Sequence, residues 1–307
     1  MATVVDGVLR DKQPGWPEFY AEAAESFVDI QNFSSKWKHW PHVEKLTSAI
    51  MKDAPSGAPK SKALLFRGMS LVYLSNIGDR KKQKARASEA KKAFRQISSD
   101  PDAAIAQYYL LQLESDPRKA IVQLSKYPER YPSSPLAPNA LYQAGVLHLK
   151  IARDAEGKSA QTQQLTAADY FGRVTISYPH SYLADDALYQ AGKIHYDRKD
   201  YKKALETFEG ITKEKHSTVP DDMLPKILFW AAKSAENLAV QAEAPVQKTK
   251  YQDKAMKYYR NIFQEFPSTY YAARVWILKQ KEYKLKPPVS GRYKLYQNWS
   301  LKSIPLS

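Results

Sequence analysis

Small, apolar and aromatic residues recur in the same order along the chain, and this pattern indicates an internal repeat. The six letters Ala-Leu-Tyr-Gln-Ala-Gly at residues 140–145 recur unchanged at residues 187–192. Each copy follows a similar turn-forming segment, at residues 131–134 and at residues 178–181. An identity of this length with matched flanks is very improbable by chance, so the chain is built from repeated units.

The clearest unit runs from residue 184 to about residue 215 and predicts two packed helices. Gly192 is followed by Ala204 and Phe208, at intervals of 12 and 16 residues. The small residues allow the first helix to approach the second closely, and the aromatic ring fills the wedge toward the next unit. Asp200 and Tyr201 are predicted at the turn between the helices.

The same order of small residue, alanine, aromatic residue and proline recurs elsewhere with predicted longer internal turns. A compact helix pair is predicted between these units, over residues 102–131. The three further sets are Gly68, Ala90, Phe94 and Pro101; Gly145, Ala167, Phe171 and Pro179; and Ala232, Ala255, Tyr259 and Pro267. The longer turns are predicted near residues 76–84, 153–164 and 242–250.

This skeleton resembles the tetratricopeptide repeat, which implies an all-α fold, a right-handed α-solenoid of about six helix pairs. We expect an N-terminal extension at 1–16, the solenoid at 17–283 and a basic, aromatic arm at 284–307. The expected pairs are 17–55, 60–101, 102–132, 136–179, 182–216 and 220–267, with a capping helix at 268–283.

The turn segments with the helix starts that follow them resemble those of bacterial cell-envelope repeat proteins. That resemblance covers an outer-membrane assembly lipoprotein and a Tol–Pal-associated repeat protein, and residues 266–273 resemble the superhelix of soluble lytic transglycosylases. It implies a protein-binding scaffold, periplasmic or envelope-associated, with a cytoplasmic location as the alternative. A superhelical accessory part of a cell-wall lytic transglycosylase system is the rival. Two departures are the lack of a lipid-bearing cysteine and the short segment after Lys286.

The composition excludes several kinds of chemical site but does not identify a partner. The 307 residues hold 47 Lys and Arg against 32 Asp and Glu, a formal charge of +15, which attracts nucleic acid, anionic lipid or acidic protein alike. There is no cysteine, which excludes disulfides, thiolate metal sites and cysteine nucleophiles. No apolar run has the length of a signal peptide or membrane span, so we expect a soluble chain.

The inner groove of such a solenoid is lined by the first helix of each pair, and its residues are the candidate partner-binding set. Aromatic rings would supply contact area and lysines would steer acidic, extended segments toward the groove. The alternative is that the aromatic rings pack between neighbouring helices. The predicted groove residues are Tyr142, Lys150, Tyr189, Lys193, Tyr196, Phe229 and Lys233.

Two basic segments are candidates for contact with phosphates or lipid headgroups, and a solvated surface is the alternative for both. The first is the basic patch formed by Arg80, Lys81, Lys82, Lys84, Arg86, Lys91, Lys92 and Arg95. The second alternates basic and aromatic residues between residues 283 and 299. Bases can stack on such rings, which leaves a basic adaptor for nucleic acid as a second alternative.

No catalytic, cofactor or metal motif is present, so the sequence predicts a protein that is not an enzyme and needs no cofactor. Nucleotide-binding glycine loops, a nucleophile elbow and the zinc-binding H-E-x-x-H pattern are missing. His39 and His42 lie among tryptophans, which favours an aromatic cluster, and His195 is expected in a core or groove role. The residues that clamp a chaperone C-terminus in some repeats of this kind are not found either.

Overall fold

The computed structural model describes residues 17–18, 21–24, 40–53, 60–98, 101–212 and 223–283, and every regular element among them is helical. The predicted extension at 1–16, His39 and the arm at 284–307 lie outside the described residues. Helices with described bounds are α1 (Trp40–Asp53), α2 (Lys60–Leu74), α3 (Arg80–Arg95), α4 (Asp102–Gln112), α5 (Pro117–Arg130), α6 (Ala137–Arg153), α7 (Gly157–Ser177), α8 (Ala184–Asp197), α9 (Tyr201–Thr212), α10 (Met223–Gln241), α11 (Pro245–Glu265) and α12 (Tyr270–Tyr283).

The chain divides into two compact units, residues 1–140 and 141–307, so that the division falls inside α6. In the first unit α2 packs against α1, α3 and α4, and α5 packs against α4. In the second unit each helix from α7 to α12 packs against the next, and α10 also contacts α8 and α12. Contacts between neighbours and next-but-one neighbours are what stacked helix pairs produce. The fold class predicted from sequence, an all-α solenoid of helix pairs, is confirmed.

A glycine or alanine lies against an aromatic ring inside each of four helix pairs. The rings of Phe94, Phe171, Phe208 and Tyr259 are all buried, as are the alanines one helical turn before them. A Cβ placed on Gly145 would lie 2.8 Å from Cε1 of Phe171, and Gly68 and Gly192 face Phe94 and Phe208 even more closely. The small residues are therefore required by the close approach of two helices, as the sequence pattern predicted.

The segments predicted as long turns are mostly helix. The turns before α3, α7 and α11 are short, and these three second helices run for 16, 21 and 21 residues, against 12 for α9. Lysine, glutamine and alanine in these segments favour helix, so the extra residues lengthen the second helix of each pair. Gly78 and Gly157 take positive φ values of 93° and 57° where the chain turns into α3 and α7.

Candidate partner-binding surface

The A helices of the second unit form a row in which each contacts the next. We call α6, α8, α10 and α12 the A helices and α7, α9 and α11 the B helices. One contact recurs in register along the row: an aromatic side chain on one A helix meets a charged side chain on the following A helix. The three pairs are Tyr142 with Asp186, Tyr189 with Lys226 and Phe229 with Arg274.

These pairs differ in chemistry although their positions are equivalent. The hydroxyl of Tyr142 donates a hydrogen bond to Asp186. Burial raises the pKa of Tyr142, and this hydrogen bond raises it further. The ammonium group of Lys226 lies 3.8 Å from the ring centre of Tyr189, and the guanidinium group of Arg274 lies 4.8 Å from that of Phe229. The last two are cation–π contacts, which are strongest where the cation is shielded from water.

The predicted groove aromatics are therefore mainly packing residues. Phe229 is 1% exposed and Tyr189 is 4% exposed, because the following A helix covers each ring. Burial, together with the charges of Asp197 and Asp186, raises the pKa of Tyr189 to about 12. Tyr142 stays partly exposed while its hydroxyl bonds across to α8. The rings of Phe229 and Tyr189 are thus covered, as in the packing alternative, and contact of these two residues with a partner stays a prediction.

Lys193 and Tyr196 meet a third residue that the sequence pattern did not single out, Trp230. The ammonium group of Lys193 lies 4.7 Å from the Trp230 ring centre and also pairs with Asp197, at 2.5 Å. The Tyr196 ring meets the Trp230 ring edge-on at 4.8 Å between centres. Trp230 follows the predicted Phe229 directly, but only the packing of α10 against α8 shows that its ring reaches Lys193.

Lys233 belongs to a charged cluster that joins α10, α11 and α12. Glu236 accepts hydrogen bonds from Lys233 Nζ at 2.7 Å and from the Tyr259 hydroxyl at 2.9 Å, and it pairs with Lys279. The side chain of Glu236 is only 17% exposed. Burial raises the pKa of Glu236, but the two lysines outweigh burial and hold that pKa below its ordinary value of 4.5.

Replacing Glu236 with glutamine is expected to lower the free energy of unfolding at pH 7 by about 1–2 kcal/mol, because two ammonium groups lose a charged acceptor. A carboxylate whose folded pKa is lowered stabilises the fold above its unfolded pKa, and this stability is lost as the pH falls through the folded pKa. Denaturation measured from pH 7 to pH 3 should therefore show that the free energy of unfolding falls less in the variant than in the wild type.

The exposed Glu206 on α9 offers the matched control for this prediction. Its replacement by glutamine should change the unfolding free energy at pH 7 by less than about 0.5 kcal/mol. If the free energy of unfolding falls equally steeply from pH 7 to pH 3 in the wild type and in Glu236→Gln, the Glu236 cluster contributes no pH-dependent stability.

A cleft of about 320 Å³ opens beside Lys193, between the C-terminal parts of α6 and α8 and the N-terminal part of α7. Its polar lining consists of Arg153, Gln164, Gln190, Lys193, Asp197 and Arg198. Only Lys193 among these belongs to the residues predicted from sequence. Lys150 lies on the same helix as Arg153 and is exposed, without being part of the cleft lining.

The basic patch lies on α3 in the first unit, and its members do not all face solvent. Arg80, Lys81, Lys84, Lys92 and Arg95 are exposed, and Lys91 is half-buried. Arg86 turns back and donates hydrogen bonds to the carbonyl oxygens of Leu74 and Ile77, at 2.8 and 2.9 Å, so it closes the turn before α3. Lys82 pairs with Asp79 at 3.5 Å.

His148 and His195 both lie partly buried on A helices. His148 Nδ1 lies 2.7 Å from Gln163 Oε1, and its ring stacks on Tyr170. His195 is partly buried, and burial lowers its pKa. Over the described ranges, no group of three or more histidine and carboxylate side chains could hold a metal ion. Within the same ranges every helix is too short or too polar to cross a membrane.

Part of the second unit is similar to a known protein family. A search among curated proteins found no match to this chain. A family model described as tetratricopeptide repeat matches residues 186–214. These residues cover all but the first two positions of α8, the turn after it and the whole of α9. The match shows that the α8–α9 helix pair is similar to a tetratricopeptide repeat.

Proposed function

We propose that the chain is a non-catalytic scaffold that binds segments of other proteins on the A helices of its second unit. The observation that carries the proposal is the position of the repeat match. It falls on α8 and α9, and α8 carries Lys193 and Tyr196 with the cleft beside them. Tetratricopeptide repeats are in general protein-binding modules.

The exposed chemistry of the A helices suits an extended, acidic partner segment. Lys150 is exposed, and Lys193 and Lys233 keep 18% and 32% of their side chains exposed. Cations next to partly exposed rings combine long-range attraction with contact area, and several such sites along one row add their affinities when one segment spans them.

The setting that we propose is an envelope-associated complex in the periplasm, with an anionic membrane surface or the peptidoglycan machinery nearby. This part rests on the resemblance of the turn segments at residues 131–134 and 178–181 to those of bacterial envelope repeat proteins. An accessory role beside a lytic transglycosylase rests on the same kind of resemblance. The exposed cations of α3 favour the nucleic-acid alternative.

A photo-crosslinking amino acid placed at single positions in source cells tests the proposal. At position 150, on the exposed side of an A helix, we expect crosslinks to one or a few proteins. Position 257, on the exposed side of B helix α11, is the matched control and should give none of these. Crosslinks found only from position 84 on α3, to nucleic acid or lipid, would contradict the scaffold proposal and favour the basic patch.

A further inference from the structure

We propose that the cleft between α6, α7 and α8 binds the carboxylate of an acidic side chain in an extended partner segment. This inference rests on the proposed function and names the chemistry that one site of the scaffold would recognise. The site differs from the predicted row of groove residues, because a B helix forms one of its walls.

The charges around the cleft are unbalanced. Arg153, Lys193 and Arg198 face it together with the single carboxylate of Asp197. Both oxygens of Asp197 already accept from Lys193, at 2.5 and 2.6 Å. The two arginines are therefore left without a carboxylate from this part of the molecule.

The two guanidinium groups are available to a ligand. Arg153 is exposed and makes no ion pair with the residues that the structure describes. Arg198 makes one long hydrogen bond, from Nη1 to Gln164 Oε1 at 3.4 Å. Guanidinium groups bind carboxylates through two parallel hydrogen bonds, which gives both strength and a defined orientation.

The other residues that line the cleft indicate which groups the ligand carries beside its carboxylate. Leu149, Ala152 and Ile194 provide an apolar part of the surface, and the amides of Gln164 and Gln190 supply neutral donors and acceptors. A volume near 320 Å³ lies at the lower end of the range for ligand sites, so it fits one or two side chains. We therefore expect an Asp or Glu next to an aliphatic residue.

The position of the cleft on its helices suits a singly charged anion. Arg153 is the last residue of α6, and Asp197 is the last residue of α8. Helix C-termini carry partial negative charge, and their exposed carbonyl groups accept hydrogen bonds. These helix ends and Asp197 reduce the net positive charge of the cleft, and they thereby reduce the advantage that a doubly charged phosphate would have over a carboxylate.

Gln164 distinguishes this cleft from the equivalent place in the following repeat. Gln164 lies seven residues before Phe171 on α7, and Tyr201 lies seven residues before Phe208 on α9. The following repeat therefore has an aromatic ring where this one has an amide.

The test uses the full chain and fluorescent decapeptides in which Asp or Glu is flanked by leucines. Identical peptides with Asn or Gln, and with phosphoserine, are the comparison probes. We expect the acidic peptides to bind about tenfold more tightly than their amide counterparts, and each of Arg153→Glu and Arg198→Glu to weaken them by about tenfold. Lys158→Glu changes an exposed charge on α7 outside the cleft and should leave affinity within about twofold.

Several results would overturn the inference. These are equal binding of acidic and amide peptides, tighter binding of the phosphoserine peptide, no peptide binding at all, or an equal loss from Lys158→Glu. The proposed function is judged separately by the crosslinks from position 150. If those persist while the peptides show no acid preference, the cleft assignment fails and the scaffold remains.

Discussion

Replacing Phe208 with alanine is expected to lower the stability of the second unit by about 3–5 kcal/mol. The ring is fully buried and lies against Gly192 on α8, within the core cluster that includes Ile227 and Tyr259. The closely packed glycine has no side chain that could move into the vacated space, so a cavity remains. Because this cluster joins α8 to α12, we expect hydrogen exchange to quicken across all five helices.

The control for Phe208 is Ile176 on α7, which is 81% exposed. Its change to alanine should alter stability by less than about 0.5 kcal/mol. Chemical denaturation followed by circular dichroism measures both variants, and hydrogen exchange locates the change. A loss below about 1 kcal/mol for Phe208→Ala would contradict the packing described for this repeat, since cavities of this kind cost more.

Adding one methyl group at Gly145 or Gly192 is expected to destabilise the chain by about 1–3 kcal/mol at each site. Alanine is normally the better helix residue, so the expected sign is opposite to that of helix propensity. The reason is the ring opposite: a Cβ on Gly145 would lie 2.8 Å from Phe171 Cε1. At Gly192 the ring of Phe208 is closer still, so the helices must move apart.

Gly172 on α7 supplies a matched control, because a Cβ there would meet nothing within 4 Å. Gly172→Ala should stabilise the chain by about 0.5–1 kcal/mol, as expected for alanine in an open helical position. Thermal and chemical denaturation of the three single variants would test this sign reversal. Stabilisation at Gly145 and Gly192 would show that the helix pairs are more loosely packed than described.

The packing inside each helix pair could be predicted from sequence because it depends on residue size at fixed spacing. Gly192, Ala204 and Phe208 carry that information by themselves, and the structure buries each alanine and ring at the predicted place. The prediction of long turns is wrong for a local reason. The polar insertion at residues 153–164 has a composition that favours helix, so the B helix already begins at Gly157.

The contacts between successive A helices could not be predicted in the same way. Whether the ring of Tyr189 faces a partner or is covered depends on Lys226, which lies on another helix far along the sequence. The cleft likewise combines residues of three helices, and only Lys193 among them stood out in the pattern. Sequence spacing fixes the face on which a side chain lies, but the neighbouring repeat determines what covers it.

The most direct test of the central claim is hydrogen exchange of the purified chain, alone and with the protein captured by crosslinking from position 150. If the A helices of the second unit bind the partner, α6, α8 and α10 should be protected in the complex. The B helices α7, α9 and α11 should change little, apart from the N-terminal part of α7 beside the cleft. Protection confined to α3, or to the B helices alone, would contradict the account.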